Sequence, residues 1–355
     1  MPTRPNDDVR TTMPPMVVGR RPLSGPDIPW SRRRFLAGAG AVVAGTVLAA
    51  CGSDDTSSST TTGAPGSGDS TDFPRTVDHA VGSTTLEREP VSVVAATDGG
   101  DLASLLALGI TPVGFGQRND PLTPWILEAG GDDPAIERYE LASETNFEVL
   151  AGWRPDVIIG QYGFVTEDTI GAYSAIAPTI ATSFVGWRDS LRQTAAAVGA
   201  DERAEDLIAE LEVEIAATAA RLAGTSIEMR WLFGYPDYLG QLNDRSPIGA
   251  LLTEMGLPTL PAQVVDGEAA DQIVAEQMGT VLEGADAVVV LDFDDPAGDG
   301  QDALRDLAVY AAAPVVAAGK VLELEVDESN AAYFDSVLTV RSNLALIERV
   351  LGELG

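Results

Sequence analysis

The chain has 355 residues, of which 22 are basic and 54 acidic, for a formal net charge of −32. That acidity excludes a nucleic-acid partner, whose phosphates require a basic surface, and it excludes a polybasic mode of membrane attachment. The 45% of apolar residues can bury a core, but the single cysteine, Cys51, leaves no internal disulfide to support it.

The first informative stretch is Ser31-Arg32-Arg33-Arg34-Phe35-Leu36, followed by an Ala/Gly/Val-rich run and Leu48-Ala49-Ala50-Cys51. It resembles a twin-arginine export signal ending in a lipoprotein cleavage box. The run from Phe35 to Ala50 is shorter than the about 20 apolar residues that a bilayer-spanning helix needs. The small Ala49 and Ala50 let a peptidase approach the backbone before Cys51, the position where such proteins receive their lipid. Residues 1–50 are therefore expected to be a signal peptide, although Met13 and Met16 also precede the arginines and allow a shorter leader. Removing seven arginines and three aspartates with it deepens the net charge to about −36. Residues 51–73, rich in Ser, Thr, Gly and Asp, bury too little apolar surface to fold and suit a lipidated flexible tether.

From Pro74 the pattern alternates between strand and helix. Val91–Ala96 is a short β-branched run, and Leu102, Leu105, Leu106 and Leu108 suit a helix that stops at Gly109. Pro112–Phe115 is the next predicted strand. Phe147, Leu150 and Ala151 suit a short helix, Asp156–Gly160 a buried strand, and 175–177 with Pro178–Ala181 another helix–strand step. This alternation predicts mostly parallel sheets covered by helices on both faces. A longer helix is expected from Asp201 to about Leu222. Ala204, Leu207, Ile208, Leu211, Ile215, Ala219 and Leu222 recur along it at spacings of three and four. At a rise of about 1.5 Å per residue it spans roughly 33 Å, which suits either one more layer helix or a rigid strut between two lobes. Strands then follow over 228–233, 287–291 and 320–326, with helices around 248–255, 275–282 and 342–354.

Four phrases carry a family resemblance. They are Leu106-Ala107-Leu108-Gly109-Ile110-Thr111-Pro112-Val113-Gly114, Asn146-Phe147-Glu148-Val149-Leu150 leading into Arg154-Pro155-Asp156-Val157-Ile158, Ile176-Ala177-Pro178-Thr179, and the run from Pro247 to Leu257. In this order around the long helix, they make residues 75–352 resemble the substrate-binding lipoproteins of iron–siderophore and cobalamin ABC importers. The resemblance implies an α/β fold of two lobes, each a mostly parallel sheet flanked by helices, joined by one long interdomain helix. The lobes are expected at 74–200 and 224–355, with the linking helix at 201–223. It also implies a ferric siderophore held between the lobes, a permease and ATPase subunits as partners, a lipid anchor on the extracytoplasmic face and a monomeric chain. Family members carry one permease-docking glutamate on each lobe, which Glu148 and Glu276 match, with Glu144 as a rival in the first lobe.

The ligand is expected where loops leave the carboxyl ends of the strands. That rule selects Tyr162, Trp187, Arg188, Tyr235, Tyr238, Arg245, Tyr333 and Arg341. Aromatic walls and a few arginines suit the flat apolar faces and clustered oxygens of an iron chelate.

Composition narrows the cargo. His79 is the only histidine and reads as structural, so a histidine cluster for zinc or manganese is excluded and histidine-ligated haem disfavoured. Tyrosine-ligated haem and cobalamin remain alternatives. The acidic loop from Asp292 to Gly300 lacks the full calcium-loop pattern and reads as a solvated strand exit. A ferric siderophore brings its own ligands, so no resident cofactor or metal is expected. Neutral or cationic hydroxamates sit most easily with the overall acidity. A surface-anchored hydrolase is the rival class, but the chain has no Gly-x-Ser-x-Gly phrase and no histidine placed for a triad, so no enzyme is expected.

Overall fold

The structure, a computed structural model, describes residues 73–354 apart from 120, 142–143, 184–185, 236–237, 261–269 and 294–299. The leader, Cys51 and the tether up to residue 72 lie outside the described residues. A hairpin of β1 (Arg75–His79) and β2 (Gly82–Leu86) comes first. The first lobe then runs β3 (Val93–Ala95), α1 (Gly100–Ala107), β4 (Gly114–Gln117), α2 (Pro124–Glu128) and β5 (Glu137–Glu140). It closes with α3 (Phe147–Gly152), β6 (Val157–Gln161), α4 (Ile170–Ser174), β7 (Thr179–Thr182) and α5 (Trp187–Val198). Helix α6 (Asp201–Leu222) follows. The second lobe starts with β8 (Met229–Tyr235), β9 (Tyr238–Leu242), α7 (Pro247–Glu254), β10 (Ala270–Ile273), α8 (Met278–Val281) and β11 (Ala287–Val290). It ends with α9 (Gly300–Arg305), α10 (Ala308–Ala311), α11 (Pro314–Ala317), β12 (Val321–Glu323), α12 (Val326–Tyr333) and α13 (Val340–Leu354).

The first sheet has the order β5-β4-β3-β6-β7 and is parallel throughout. The second, ordered β10-β9-β8-β11-β12, is mixed: β8, β11 and β12 are parallel, while β9 runs against both β8 and β10. The departure from a mostly parallel second sheet has a simple cause. Only residues 236 and 237 separate β8 from β9, too few for the crossover a parallel pair needs.

Several boundaries also move. The strand drawn from Val91 begins at Val93, because Val91 is 92% exposed and its N–H turns to the Asp156 carboxylate at 3.0 Å. The strand drawn over Pro112–Phe115 starts two residues later, at Gly114. The run 320–326 keeps only three strand residues, since the Glu328 side chain accepts the Glu325 N–H at 3.2 Å and starts α12.

The apolar stripe of α6 lies where its periodicity predicts. Ala204, Leu207, Ile208, Leu211 and Ile215 are buried, and Ala219 and Leu222 pack against the same core. Helix α6 packs against α5 of the first lobe and α13 of the second, so one helix shares its buried face with both. At about 1.5–3 kcal/mol per fully buried aliphatic side chain, this stripe is a main source of cohesion between the lobes. Among the described residues, no helix is long and apolar enough to cross a membrane.

The β1–β2 hairpin covers the β7 edge of the first sheet, which would otherwise present unpaired backbone groups. Ala80 N–H donates to the Ala181 carbonyl at 2.9 Å, and Thr84 Oγ1 donates to the Thr179 carbonyl at 2.7 Å. His79 accepts the Val81 N–H on Nδ1 at 3.3 Å, leaving Nε2 to donate to Thr84 Oγ1 at 3.0 Å. That is a structural role for the sole histidine, and burial lowers its pKa against the opposing pull of Asp78.

Gly249, in the first turn of α7, tests how tightly the second lobe is packed. A Cβ there would stand 2.1 Å from the backbone oxygen of Asn243. Alanine favours a helix over glycine by about 1 kcal/mol, whereas overpacking against backbone costs about 1–3 kcal/mol. Gly249→Ala is therefore expected to lower stability in urea unfolding; a gain would show that the turn can yield.

Candidate ligand-binding cleft

The exit edge of the first sheet is tied together by two buried carboxylates. Asp101, in the first turn of α1, accepts the Thr97 N–H at 2.8 Å and the Thr97 hydroxyl at 2.6 Å. Asp98 accepts the backbone N–H groups of Arg118 at 3.1 Å and Asn119 at 2.8 Å, plus the Asn119 amide at 3.1 Å. Burial raises both carboxyls despite these donors, Asp101 to about 6. The loop after β4 is thus pinned to the loop after β3. From it, the Arg118 guanidinium reaches 4.8 Å over the ring of Phe164 in the loop after β6.

The facing edge of the second lobe is aromatic. Tyr235, the last residue of β8, stands opposite Tyr238, the first of β9. Phe233 lies 5.7 Å from Tyr238, 5.4 Å from Phe293 and 6.0 Å from Tyr333. Tyr235 and Phe293 stack at 6.2 Å, and Tyr333 meets Phe293 at 5.3 Å and Phe334 at 5.2 Å. Gly240 makes room for this cluster, since a Cβ there would stand 2.1 Å from the Phe233 ring.

The two edges meet beside Phe334. The Asp335 carbonyl lies 3.1 Å from where a Gly100 Cβ would stand, so a side chain there would press on this close approach. The Asp335 carboxylate accepts the Gly186 N–H. Gly186 is the N-cap of α5 and, with no side chain, cannot cap that helix itself, so a residue of the second lobe does so. Removal from water raises the Asp335 carboxyl to about 6, against the backbone donors of Gly186 and Trp187 and the Arg188 charge. Gln161, at the end of β6, accepts the Gly100 N–H at 3.4 Å beside this junction.

Of the eight residues selected from strand ends, the structure gathers three and scatters five. Tyr235, Tyr238 and Tyr333 come together in the aromatic cluster. Tyr162 follows β6 at the opposite edge and is 37% exposed. Arg245 is exposed in the turn before α7, its N–H donating to Asn243 Oδ1 at 3.0 Å. Trp187 opens α5 and is buried in the core, with the Arg188 guanidinium 4.4 Å over its ring. Arg188 forks onto Glu254 of α7 at 2.7 and 3.2 Å and onto Glu212 of α6 at 3.0 Å. Arg341 pairs with Glu210 at 2.6 Å and Glu214 at 2.8 Å on α6. These two arginines brace the lobes against the linking helix and are not gathered with the tyrosines. Glu148 and Glu276 are both exposed. Glu148 lies in the first turn of α3, which Asn146 caps, and Glu276 in the short turn Ala275–Gln277.

Arg118, Phe164, Phe233, Phe293, Phe334 and Asp335 are absent from the sequence-derived set. Arg118 and Phe293 follow strands and satisfy the same exit rule that selected Tyr235. Arg118 escapes it because β4 ends two residues beyond the expected strand, and Phe293 because the acidic run around it reads as solvent-facing.

A family model described as periplasmic binding protein matches residues 94–327. The probable siderophore-binding lipoprotein YfiY of Bacillus subtilis is 35% identical over 173 residues, which are 48% of this chain and 50% of YfiY. The match thus spans about half the length of that relative. Among solved structures, a periplasmic solute binding protein from Mycobacterium smegmatis superposes with a TM-score of 0.65 at 24% identity, covering 79% of this chain and 98% of its own. Staphylococcus aureus SirA complexed with staphyloferrin B gives a TM-score of 0.65 at 21% identity with the same coverages. Streptococcus pneumoniae PiaA in complex with ferrichrome gives 0.64 at 21%, again covering 79% and 98%. At these identities the structural likeness is one of fold.

The Asp335 junction makes stability depend on pH with a definite sign. Between 3.8 and about 6 the folded chain keeps a proton that the unfolded chain has released, so this contribution is lost as pH rises through about 6. Urea unfolding of the wild type and Asp335→Asn, compared from about pH 5 to about pH 7, isolates it, because Asp101 and His79 titrate in both. The wild type is expected to lose stability relative to the variant as pH rises. A difference that does not change with pH would place the Asp335 carboxyl in water.

Proposed function

The chain belongs to the periplasmic binding protein family, and on that premise we propose that it captures a ferric siderophore between its lobes and delivers it to the permease of an ABC importer. The family binds and hands over solutes and does not catalyse. The observation that carries the choice of ligand is the wall formed by Tyr235, Tyr238, Phe293 and Tyr333 at the strand-exit edge of the second sheet. Such rings cover the apolar faces of an organic chelate whose iron is already fully ligated, which suits a chain with one histidine, held in a hairpin. The sequence likeness to a siderophore-binding lipoprotein agrees with this reading.

Cys51 carries the lipid in this proposal and residues 52–72 the tether, holding the body on the extracytoplasmic face of the membrane. Glu148 and Glu276 meet arginines of the permease. Both are exposed, and each sits on an element whose amino end lies at the strand-exit edge of its own sheet. Opposite charges at such an interface speed encounter and set orientation more than they add affinity. Lobe movement is limited, because α6 is continuous over 22 residues and Arg188 ties both lobes to it.

Tryptophan fluorescence titration with ferrichrome, ferric enterobactin, ferric staphyloferrin B, haem and cobalamin tests the ligand class. Submicromolar quenching by at least one ferric siderophore is expected; quenching by none overturns the reading, and quenching by haem or cobalamin alone reassigns it. Tyr235→Ala and Tyr333→Ala should each weaken the bound chelate about tenfold. For docking, Glu148→Arg combined with Glu276→Arg should abolish uptake of radiolabelled ferric siderophore in cells while leaving affinity in solution unchanged. Loss of affinity in that variant would mean that these glutamates serve the cleft instead.

A further inference from the structure

Arg118 differs from most of the described arginines of this acidic chain. Arg75, Arg88, Arg188, Arg192, Arg341 and Arg349 each hold a carboxylate within 2.7 Å. Arg118 takes part in no ion pair among the described residues, although its backbone N–H donates to Asp98. Its guanidinium lies over the Phe164 ring, so the face of the cation is occupied while the in-plane N–H donors remain at its edge. The loop that carries it is pinned by three donors to Asp98, and so the cation is held in place before any ligand arrives. Both Arg118 and Phe164 are half-buried, at the same strand-exit edge as the exposed Tyr162.

We infer that Arg118 recognises an anionic group of the ligand, and that the cargo is a negatively charged ferric chelate with carboxylate or catecholate oxygens, not a neutral or cationic hydroxamate. The inference rests on the siderophore reading above and narrows its substrate class. It reverses the preference drawn from net charge, for a physical reason. Overall charge acts through solvent and is screened over about 8 Å at physiological ionic strength, whereas a positioned guanidinium acts in direct contact. The nearby carboxylates do not cancel it. Asp98 is buried and accepts three donors of the 118–119 segment on one oxygen, and Asp101 is enclosed by Thr97. Glu167 and Asp168, in the Phe164 loop, are exposed to solvent and make no ion pair with Arg118. Across the cleft, the aromatic rings would cover the apolar faces of the same chelate.

The test uses the mature chain and four probes: ferric enterobactin and ferric staphyloferrin B as anions, ferrichrome as a neutral hydroxamate and ferrioxamine B as a cationic one. The wild type is expected to bind at least one anionic chelate more tightly than either hydroxamate. In Arg118→Gln the ratio of anionic to neutral affinity should fall about tenfold or more, as expected for one lost charge-assisted contact. Phe164→Leu, which removes the ring under the guanidinium, should lower the same ratio by a smaller factor. Tighter binding of ferrichrome or ferrioxamine B by the wild type overturns this inference while leaving the siderophore reading intact, as does an unchanged ratio in a folded Arg118→Gln chain. Failure of all four chelates to bind overturns the siderophore reading itself.

Discussion

Both halves of the candidate cleft depend on one helix being buried by two lobes at once. The stripe Ala204, Leu207, Ile208, Leu211 and Ile215 packs α6 between α5 and α13, and the flanks of the stripe carry Glu210, Glu212 and Glu214. Magnitudes separate the roles of the two sides. Each fully buried aliphatic residue is worth about 1.5–3 kcal/mol, whereas an exposed ion pair contributes about 0–1 kcal/mol. The stripe therefore holds the lobes together. The forks from Arg188 and Arg341 contribute little to stability but restrict the angle at which the lobes meet, since a bidentate guanidinium tolerates little misalignment.

With that angle set, two edges of different chemistry face each other. The first lobe offers Arg118 on Phe164 and the exposed Tyr162; the second offers a cluster of aromatic rings. Where they join, contact depends on what is missing. Gly100 has no Cβ to block the Asp335 carbonyl, and Gly186 has no side chain to cap its own helix, so the opposite lobe supplies the acceptor. A carboxylate enclosed there costs free energy when ionised. The junction is consequently a place where the lobes are joined by polar contacts, beside the larger apolar seal along α6.

Legibility in the sequence followed the range of the interaction concerned. Helix α6 was readable because its burial repeats every three or four residues over 22 positions, long enough for the period to stand out. Short strands were readable as β-branched runs, but their ends moved by two residues or more, as at Val91 and Pro112. That small error had a functional consequence, because a strand ending two residues later brings Arg118 onto the exit edge. The exit rule selects the tyrosines at 235, 238 and 333, which the structure gathers into one aromatic cluster. Phe233 was not, since a buried strand residue gives no sign that its ring borders a cleft. Trp187 and Arg188 were expected on a loop, whereas they open the twelve-residue helix α5, whose core face continues the interior and whose first arginine finds Glu212 and Glu254.

By itself, the sequence determined the acidic charge, the alternation of strand and helix, and the long amphipathic strut, and it carries the expectation of an export signal ending at Cys51. Each is a property of neighbouring residues or of composition. Only the tertiary structure decided which charges are spent on one another and which are not. Arg188 and Arg341 satisfy every sequence rule for a binding cation, yet partners 24 to 131 residues away take them up, while Arg118 is left stacked on Phe164. Ion pairing depends on distance through space, and distance along the chain carries almost no information about it.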